Sequence, residues 1–364
     1  MTANSVLQEL AAYRSVNNIL SIYLDTDLRS KSKEAVRLML RDRLRGIEQH
    51  VPVGLLQRVA DYLDFEFDWR PRGLALFVSE ELWQVMPLPV AVPAQAVWAA
   101  QAYVRPLSDV IDRFGAYNVA LIDRQSLRVF AVRMGEIQAQ TEALGEALKR
   151  HRQGGWSAQI YQRRQDNLAM YNLKQAAEAL EAFTEQTGVH RLVLGGSPDV
   201  LVQFREVLPR HLQEQIVGEF VADISASTHK ALQLSLDVAQ QADLVQEQAL
   251  VQEAITAANK GGQGVIGMAD TVYALHQGRA RLLLVSDTFH GQAQVCGHCG
   301  SVSVEAAATS PGECPLCGHD AVVAVDDVAN LAVRKALETG ATVNIVRDNA
   351  ELDEAGGMAA LLRY

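Results

Sequence analysis

Four cysteines are confined to 22 residues of a 364-residue chain, as Cys296-Gly297-His298-Cys299 and Cys314-Pro315-Leu316-Cys317. Two thiolates at positions i and i+3 of a turn can grip one metal ion, and two such turns complete a tetrahedral shell. A closed shell of four sulfurs leaves no open position for a substrate. The expected cofactor is therefore a structural zinc ion held by Cys296, Cys299, Cys314 and Cys317, with an iron–sulfur centre as the next candidate. Gly300 and Gly318 directly follow the two turns and let the backbone fold back beneath a metal. His298 and His319 could ligate, but with four thiols at hand they are expected to be exposed or to sit beside the shell. The alternatives without metal are two disulfides or four free thiols. Cysteines gathered in one place do not form a disulfide framework, which points to a reducing cytoplasm.

The second chemical stretch is Lys149-Arg150-His151-Arg152-Gln153-Gly154-Gly155-Trp156-Ser157-Ala158-Gln159. From Lys149 to Arg164 there are five cations (Lys149, Arg150, Arg152, Arg163 and Arg164) and no carboxylate, although the whole chain carries a formal charge of -10. A locally positive segment in an acidic protein suggests an anionic partner there. Adjacent glycines make a backbone thin enough to enter a narrow space, and Trp156 adds a flat face. Phosphates attract such cations and an unstacked base can lie on an indole, so single-stranded or looped RNA fits. The structural alternative is a solvated helix start whose Trp packs in the core.

These stretches need elements to hold them. The length predicts two to four domains, and 49% hydrophobic with 21% charged residues suits a folded soluble protein. No apolar run reaches the ~20 residues of a membrane span, and Asn4, Gln8, Glu9 and Arg14 interrupt any signal-peptide core. Apolar patterning predicts a helix over 6–13, a strand over 19–24, a helix carrying Val36, Leu40 and Leu44, and strands over 73–79 and 82–88. Arg29, Lys31 and Lys33, before that second helix, are candidate RNA contacts, with a solvated face as the alternative. Strands over 118–123 and 127–132 and a third at 135–137 form a meander ahead of the basic stretch. A helix over 157–187, a strand over 191–197 and a last strand over 220–226 follow. Gly195-Gly196-Ser197 could cradle phosphate or simply make a tight strand-to-helix turn. Beyond a helix over 228–258, helices alternate with strands around 264–267, 281–287 and 342–347, an α/β pattern.

Read together, these landmarks resemble the archaeal and eukaryotic class-I peptide release factor and Pelota superfamily. The likeness is greatest to its bacterial branch, the group containing the ribosome hibernation factor Balon. Residues 150–158 are similar to the release-factor segment K-H-G-R-G-G-Q-S-A, and Leu194-Gly195-Gly196-Ser197 to L-A-G-S. Residues 267–275 are similar to G-x-x-D-T-x-x-A-L, and residues 356–364 to G-G-I-G-G-I-L-R-Y. The resemblance implies an α/β protein of three domains. Residues 1–114 would face the decoding centre, 115–226 would be an RNase H-like domain carrying the basic Gly-Gly loop, and 227–364 would be L7Ae-like with a zinc-ribbon-like insert at 291–322.

The departures from that pattern shape the functional expectation. Releasing members carry Gly-Gly-Gln at the loop tip, where the amide helps to position water. Here Trp156 follows the glycines, and an indole N–H donates one hydrogen bond and accepts none. The triplet Gly261-Gly262-Gln263 spells the releasing motif but lies on the approach to the third domain, and the first domain lacks the Asn-Ile-Lys-Ser stop-codon element. The expectation is a non-catalytic, monomeric, cytoplasmic factor that occupies the aminoacyl-tRNA site of idle or stalled ribosomes in hibernation or rescue. It would touch ribosomal RNA through Lys149, Arg150, Arg152, Gly154, Gly155, Trp156, Arg163 and Arg164. The resemblance further implies a translational GTPase such as elongation factor Tu as partner. The competing functions are a peptidyl-tRNA hydrolase with a modified loop and an RNA-binding adaptor acting away from ribosomes.

Overall fold

Unbroken apolar runs become strands covered on both faces, and apolar residues spaced three and four apart become the helices that cover them. The structure, a computed structural model, describes residues 3–146, 156–303, 313–314 and 316–364.

The chain opens with α1 (Ala3–Ala12), β1 (Ile19–Asp25), α2 (Lys33–Leu44) and α3 (Val53–Asp61), the last running into one π-turn. Then come β2 (Gly73–Val78), β3 (Trp83–Leu88), β4 (Gln95–Ala99) and α4 (Arg105–Arg113). The four strands form an antiparallel sheet in the order β3-β2-β1-β4, with Leu20 opposite Val78 and Ser21 opposite Val97. Ser32 caps α2 by accepting from the Ala35 N–H, and Val36 and Leu40 then meet Leu20, Ile22, Leu24, Leu74 and Leu76.

Next come β5 (Tyr117–Ile122), β6 (Ser126–Arg133), β7 (Glu136–Leu144), the 32-residue α5 (Trp156–Thr187), β8 (Leu192–Gly196), α6 (Pro198–Val207), α7 (Arg210–Gln213) and β9 (Ile216–Val221). Their sheet runs β7-β6-β5-β8-β9. β5, β8 and β9 are parallel, while β6 and β7 return antiparallel as the expected meander. One face packs on Leu173, Ala177 and Leu180 of α5 and Leu201 and Phe204 of α6. The other takes Ala231 and Ala239 of α8 (Thr228–Asn259). The strand expected over 220–226 is displaced: β9 ends at Val221. Asp223 turns the chain there by accepting the Ser225 N–H at 2.8 Å, an Asx-type turn that competes with the sheet ladder.

The last segment contains β10 (Gly264–Ile266), α9 (Met268–His276), β11 (Ala280–Ser286), β12 (Ala293–Cys296), β13 (Val302–Ser303) and β14 (Val322–Val325). It ends with α10 (Val328–Glu338), β15 (Thr342–Val346), α11 (Ala350–Glu354) and β16 (Met358–Leu362). The order β10-β16-β11-β15 makes one sheet, parallel only between β11 and β15, and β13-β12-β14 makes a separate small ribbon. Residues 1–113 and 246–364 form one compact unit, and 114–245 form another.

Candidate functional site

The two cysteine turns meet. Sγ of Cys296 lies 3.7 Å from that of Cys317, and Sγ of Cys299 lies 3.6 Å from that of Cys314. All four sulfurs fall within 4.8 Å of one another, and none is in a disulfide. Tetrahedral bonds of about 2.3 Å to one zinc ion would separate sulfurs by about 3.8 Å, so the set has the dimensions of a four-thiolate site. Cys296 is delivered by the end of β12, and the Gly300 and Gly318 N–H groups close each turn onto the Cys296 and Cys314 carbonyls at 2.9 and 2.8 Å. Both glycines have φ near +70°, as the back-folding turns require.

A neighbour that the sequence reading missed is Ser301, whose Oγ lies 3.1 Å from Cys314 Sγ and 3.4 Å from Cys299 Sγ. That hydroxyl, ahead of nearby backbone N–H groups, holds the Cys314 thiol down to about 6, favouring the thiolate a metal needs. His298 and His319 are exposed, with rings stacked at 3.5 Å and 10° apart, and His319 Nδ1 lies 3.2 Å from the Cys317 carbonyl. With four sulfurs converged, the two imidazoles lie beside the shell.

Of the basic stretch, Lys149, Arg150, Arg152, Gly154 and Gly155 lie outside the described residues. Trp156 opens α5, but its side chain also lies outside them; Arg163 and Arg164 stand exposed on the first turns of that helix. What is defined is the root from which the stretch departs. Asn172, only 4% exposed on α5, accepts the Glu146 N–H at 2.9 Å and donates to the Glu146 and Arg124 carbonyls at 2.9 and 3.2 Å. The Gly145 N–H donates to the Gln125 carbonyl, and a Cβ at Gly145 would come within 2.5 Å of Asn172. The chain therefore leaves for residue 147 from a fixed point. The available signal for this clamp was an asparagine in the buried helix stripe of Ala169, Leu173 and Ala176, where a weak helix former needs a reason.

The three cations of the first segment are engaged. Arg29 Nε and Nη2 donate to the two oxygens of Asp27 at 2.8 and 2.6 Å, and Asp27 also accepts from Arg72 at 3.1 Å. Lys31 pairs with Asp25, and the Lys33 ammonium lies 5.3 Å from the centroid of the Trp69 ring. The Arg29 guanidinium holds the Asp27 carboxyl far below the usual carboxylate range. Arg29 still presents 69% of its side chain to solvent.

Two further glycine pairs have structural explanations. Gly195 and Gly196 lie inside β8, where a Cβ would meet Phe220 at 2.5 Å and the Ile122 carbonyl at 2.7 Å respectively, so close packing accounts for both. Gly261 has φ +65° and closes the end of α8 with its N–H on the Ala258 carbonyl, while Gly262 bonds Ala257. Gly261-Gly262-Gln263 is thus a helix C-terminal turn.

Residues 103–240 match the model of the family described as Bacterial archaeo-eukaryotic release factor family 10. Peptide chain release factor subunit 1 of Thermococcus kodakarensis is 24% identical over 407 aligned positions, covering 98% of this chain and 96% of that one. The Pyrococcus abyssi protein of the same name is also 24% identical, over 86% and 84% of the two chains. Among solved structures, Archaeoglobus fulgidus Pelota aligns over 100% of this chain and 92% of its own at 13% identity, with a TM-score of 0.36. An archaeal Pelota described as ribosome-bound with ABCE1 aligns over 99% and 94% at 13% identity, with a TM-score of 0.40. No helix among the described residues is long and apolar enough to cross a membrane.

Proposed function

We propose that the protein is a ribosome-binding translation factor that occupies the aminoacyl-tRNA site of idle or stalled ribosomes and does so without hydrolysing peptidyl-tRNA. The observation that carries this reading is Trp156, which follows Gly154-Gly155 where the releasing relatives have glutamine, in a chain that aligns with a release factor along 98% of its length. Hydrolysis needs a group that accepts and donates at the attacking water, and an indole cannot accept. Stacking on an exposed base of ribosomal RNA uses the same position at a gain of roughly 1–3 kcal/mol. Lys149, Arg150, Arg152, Arg163 and Arg164 supply phosphate contacts, and the clamp at Asn172 fixes where the loop begins. The four cysteines hold one zinc ion that keeps the ribbon folded and takes no part in chemistry.

Co-sedimentation tests the reading. The protein travels with purified ribosomes, and its association falls as salt rises because each phosphate contact releases counterions. Arg150→Glu with Arg152→Glu weakens association and lowers the salt slope by about two. Undiminished association of that variant removes the loop as an anchor. Release of peptide from peptidyl-tRNA on the ribosome by wild type, lost in Trp156→Ala, would move the protein to the hydrolases.

A further inference from the structure

Between the β5–β6 turn, the end of β7 and α5, in the 114–245 unit, lies an open cavity of about 320 Å³ lined by Gln125, Leu144, Glu146, Tyr171, Asn172 and Gln175, among others. The floor is rigid, because both polar atoms of the Asn172 amide are committed to backbone groups of Glu146 and Arg124. The rim is apolar yet open to water: Tyr171 is 51% exposed and Leu144 86%. Around them stand groups that can read a flat heterocycle. The Gln125 amide has no side-chain hydrogen bond among the described residues, and Gln175 donates to Glu178 at 3.1 Å while its carbonyl oxygen stays available. Glu146 is exposed and accepts only, which suits an exocyclic amine.

The helix carries the pattern outward. Arg164, Leu168, Tyr171 and Gln175 follow spacings of four, three and four on α5 and therefore share one face. At 1.5 Å of rise per residue, Arg164 lies about 10 Å along the axis from Tyr171. It is exposed and has no ion-pair partner among the described residues. A long guanidinium side chain there reaches the phosphates flanking a base laid on the Tyr171 ring.

We infer that this cavity is a binding site for one unstacked base of single-stranded RNA, with Tyr171 as the stacking face, Gln125 and Gln175 on the base edge, Glu146 on an exocyclic amine and Arg164 on an adjoining phosphate. The inference deepens the ribosome-binding reading and rests on it for the source of the RNA. It places a second base contact at the root of the Gly-Gly loop, separate from Trp156. A free mononucleotide would lack the neighbouring phosphates that Arg164 reaches, so a strand is the better ligand.

The test titrates labelled single-stranded oligocytidine at low salt against wild type, Tyr171→Phe, Tyr171→Ala and Gln175→Ala, and repeats the series by co-sedimentation with purified ribosomes. Tyr171→Ala binds oligocytidine about tenfold or more weakly, Tyr171→Phe stays within about twofold of wild type, and Gln175→Ala falls between them. Because Tyr171 is half exposed, thermal melting of the Tyr171 variants is unchanged. Equal binding by wild type and Tyr171→Ala overturns the site, as does a wild type that does not bind oligocytidine. Loss of ribosome association by Tyr171→Ala with oligocytidine binding intact assigns the cavity to a ribosomal protein and overturns it too. The two readings fail separately: Tyr171-dependent oligocytidine binding by a protein that never pellets with ribosomes sinks the ribosome and keeps the cavity. Equal pelleting and equal oligocytidine binding by wild type and Tyr171→Ala do the reverse.

Discussion

Arg105 is charged and yet only 6% exposed. Its Nη1 donates to the Phe289 carbonyl at 2.9 Å, and its Nη2 to the Ser286 and Asp287 carbonyls at 3.1 and 2.7 Å. Beside it Tyr103 donates to Asp327 at 2.7 Å, and the Asn330 side chain accepts the Val104 N–H at 2.9 Å. Replacing Arg105 with Met would leave the buried Ser286 carbonyl and the partly buried Asp287 and Phe289 carbonyls without their donor, at about 1–3 kcal/mol for each group left unsatisfied. Urea unfolding of Arg105→Met shows a loss of about 3 kcal/mol or more, and a loss under about 1 kcal/mol would mean that water replaces the guanidinium. Nothing in the sequence could single out this arginine, because its partners lie at least 181 positions away. Asp27 is a different case, local and acid-sensitive. Its carboxyl titrates below the ordinary 3.8 when folded, because Arg29 holds the charged form. The unfolded chain therefore binds this proton first as pH falls. The stabilising effect is present above the unfolded value and is lost progressively over the acid interval below it. Asp27→Asn is less stable than wild type at neutral pH, and its melting temperature falls less over that interval; parallel curves would remove Asp27 as a source of acid lability.

At the scale of elements, the ribbon β13-β12-β14 has strands of two to four residues, too little apolar surface to stand by itself. Among its described residues, Val295, Cys296, Gly300 and Cys314 are buried. Metal analysis finds about one zinc per chain, and Cys314→Ser loses it. Chelation then abolishes hydrogen-exchange protection in β12 and β14 while 280–286 of β11 stay protected, since the larger sheet has its own core. A ribbon that keeps its protection without metal would contradict this. The ligand set was legible because both halves of each bite are three positions apart in sequence; Ser301 was not, because its role depends on how the turns fold together. Strand β8 gives a second element-scale test. Gly195 sits between Phe220 and Leu121, where a Cβ would come within 2.5 and 2.6 Å. Gly195→Val costs about 1–3 kcal/mol by overpacking, read from the denaturant midpoint. The strands themselves were legible from apolar runs. The end of β9 was not, because Phe220, Val221 and Ala222 continue an apolar run that only the Asp223 turn interrupts.

At the scale of the whole chain, the 114–245 segment is continuous and contains its own cores on both sheet faces, whereas its companion unit is assembled from residues 1–113 and 246–364. The bonds that close that second unit are polar and long-range. Besides Arg105, the Asp112 carboxylate accepts the Ile345 N–H at 2.8 Å and the Asn344 amide at 3.1 Å. Arg334, 1% exposed, donates to the Ala11 carbonyl at 3.0 Å and to Glu338 at 3.1 Å. Sequence patterning divides the chain into consecutive thirds and carries no sign that the first and last close on each other, since hydrogen bonds to backbone carbonyls leave no periodicity to read. The segments should accordingly differ when expressed alone. Residues 114–245 unfold in one cooperative transition with native-like near-ultraviolet circular dichroism. Residues 1–113 leave Arg105 without its carbonyls and the Ala11 carbonyl without its guanidinium, and they show exposed apolar surface and a broadened transition until 246–364 are supplied. A sharply cooperative 1–113, as stable alone as in the intact chain, would mean that the buried arginines hold nothing together, and that the loss expected of Arg105→Met has the wrong cause.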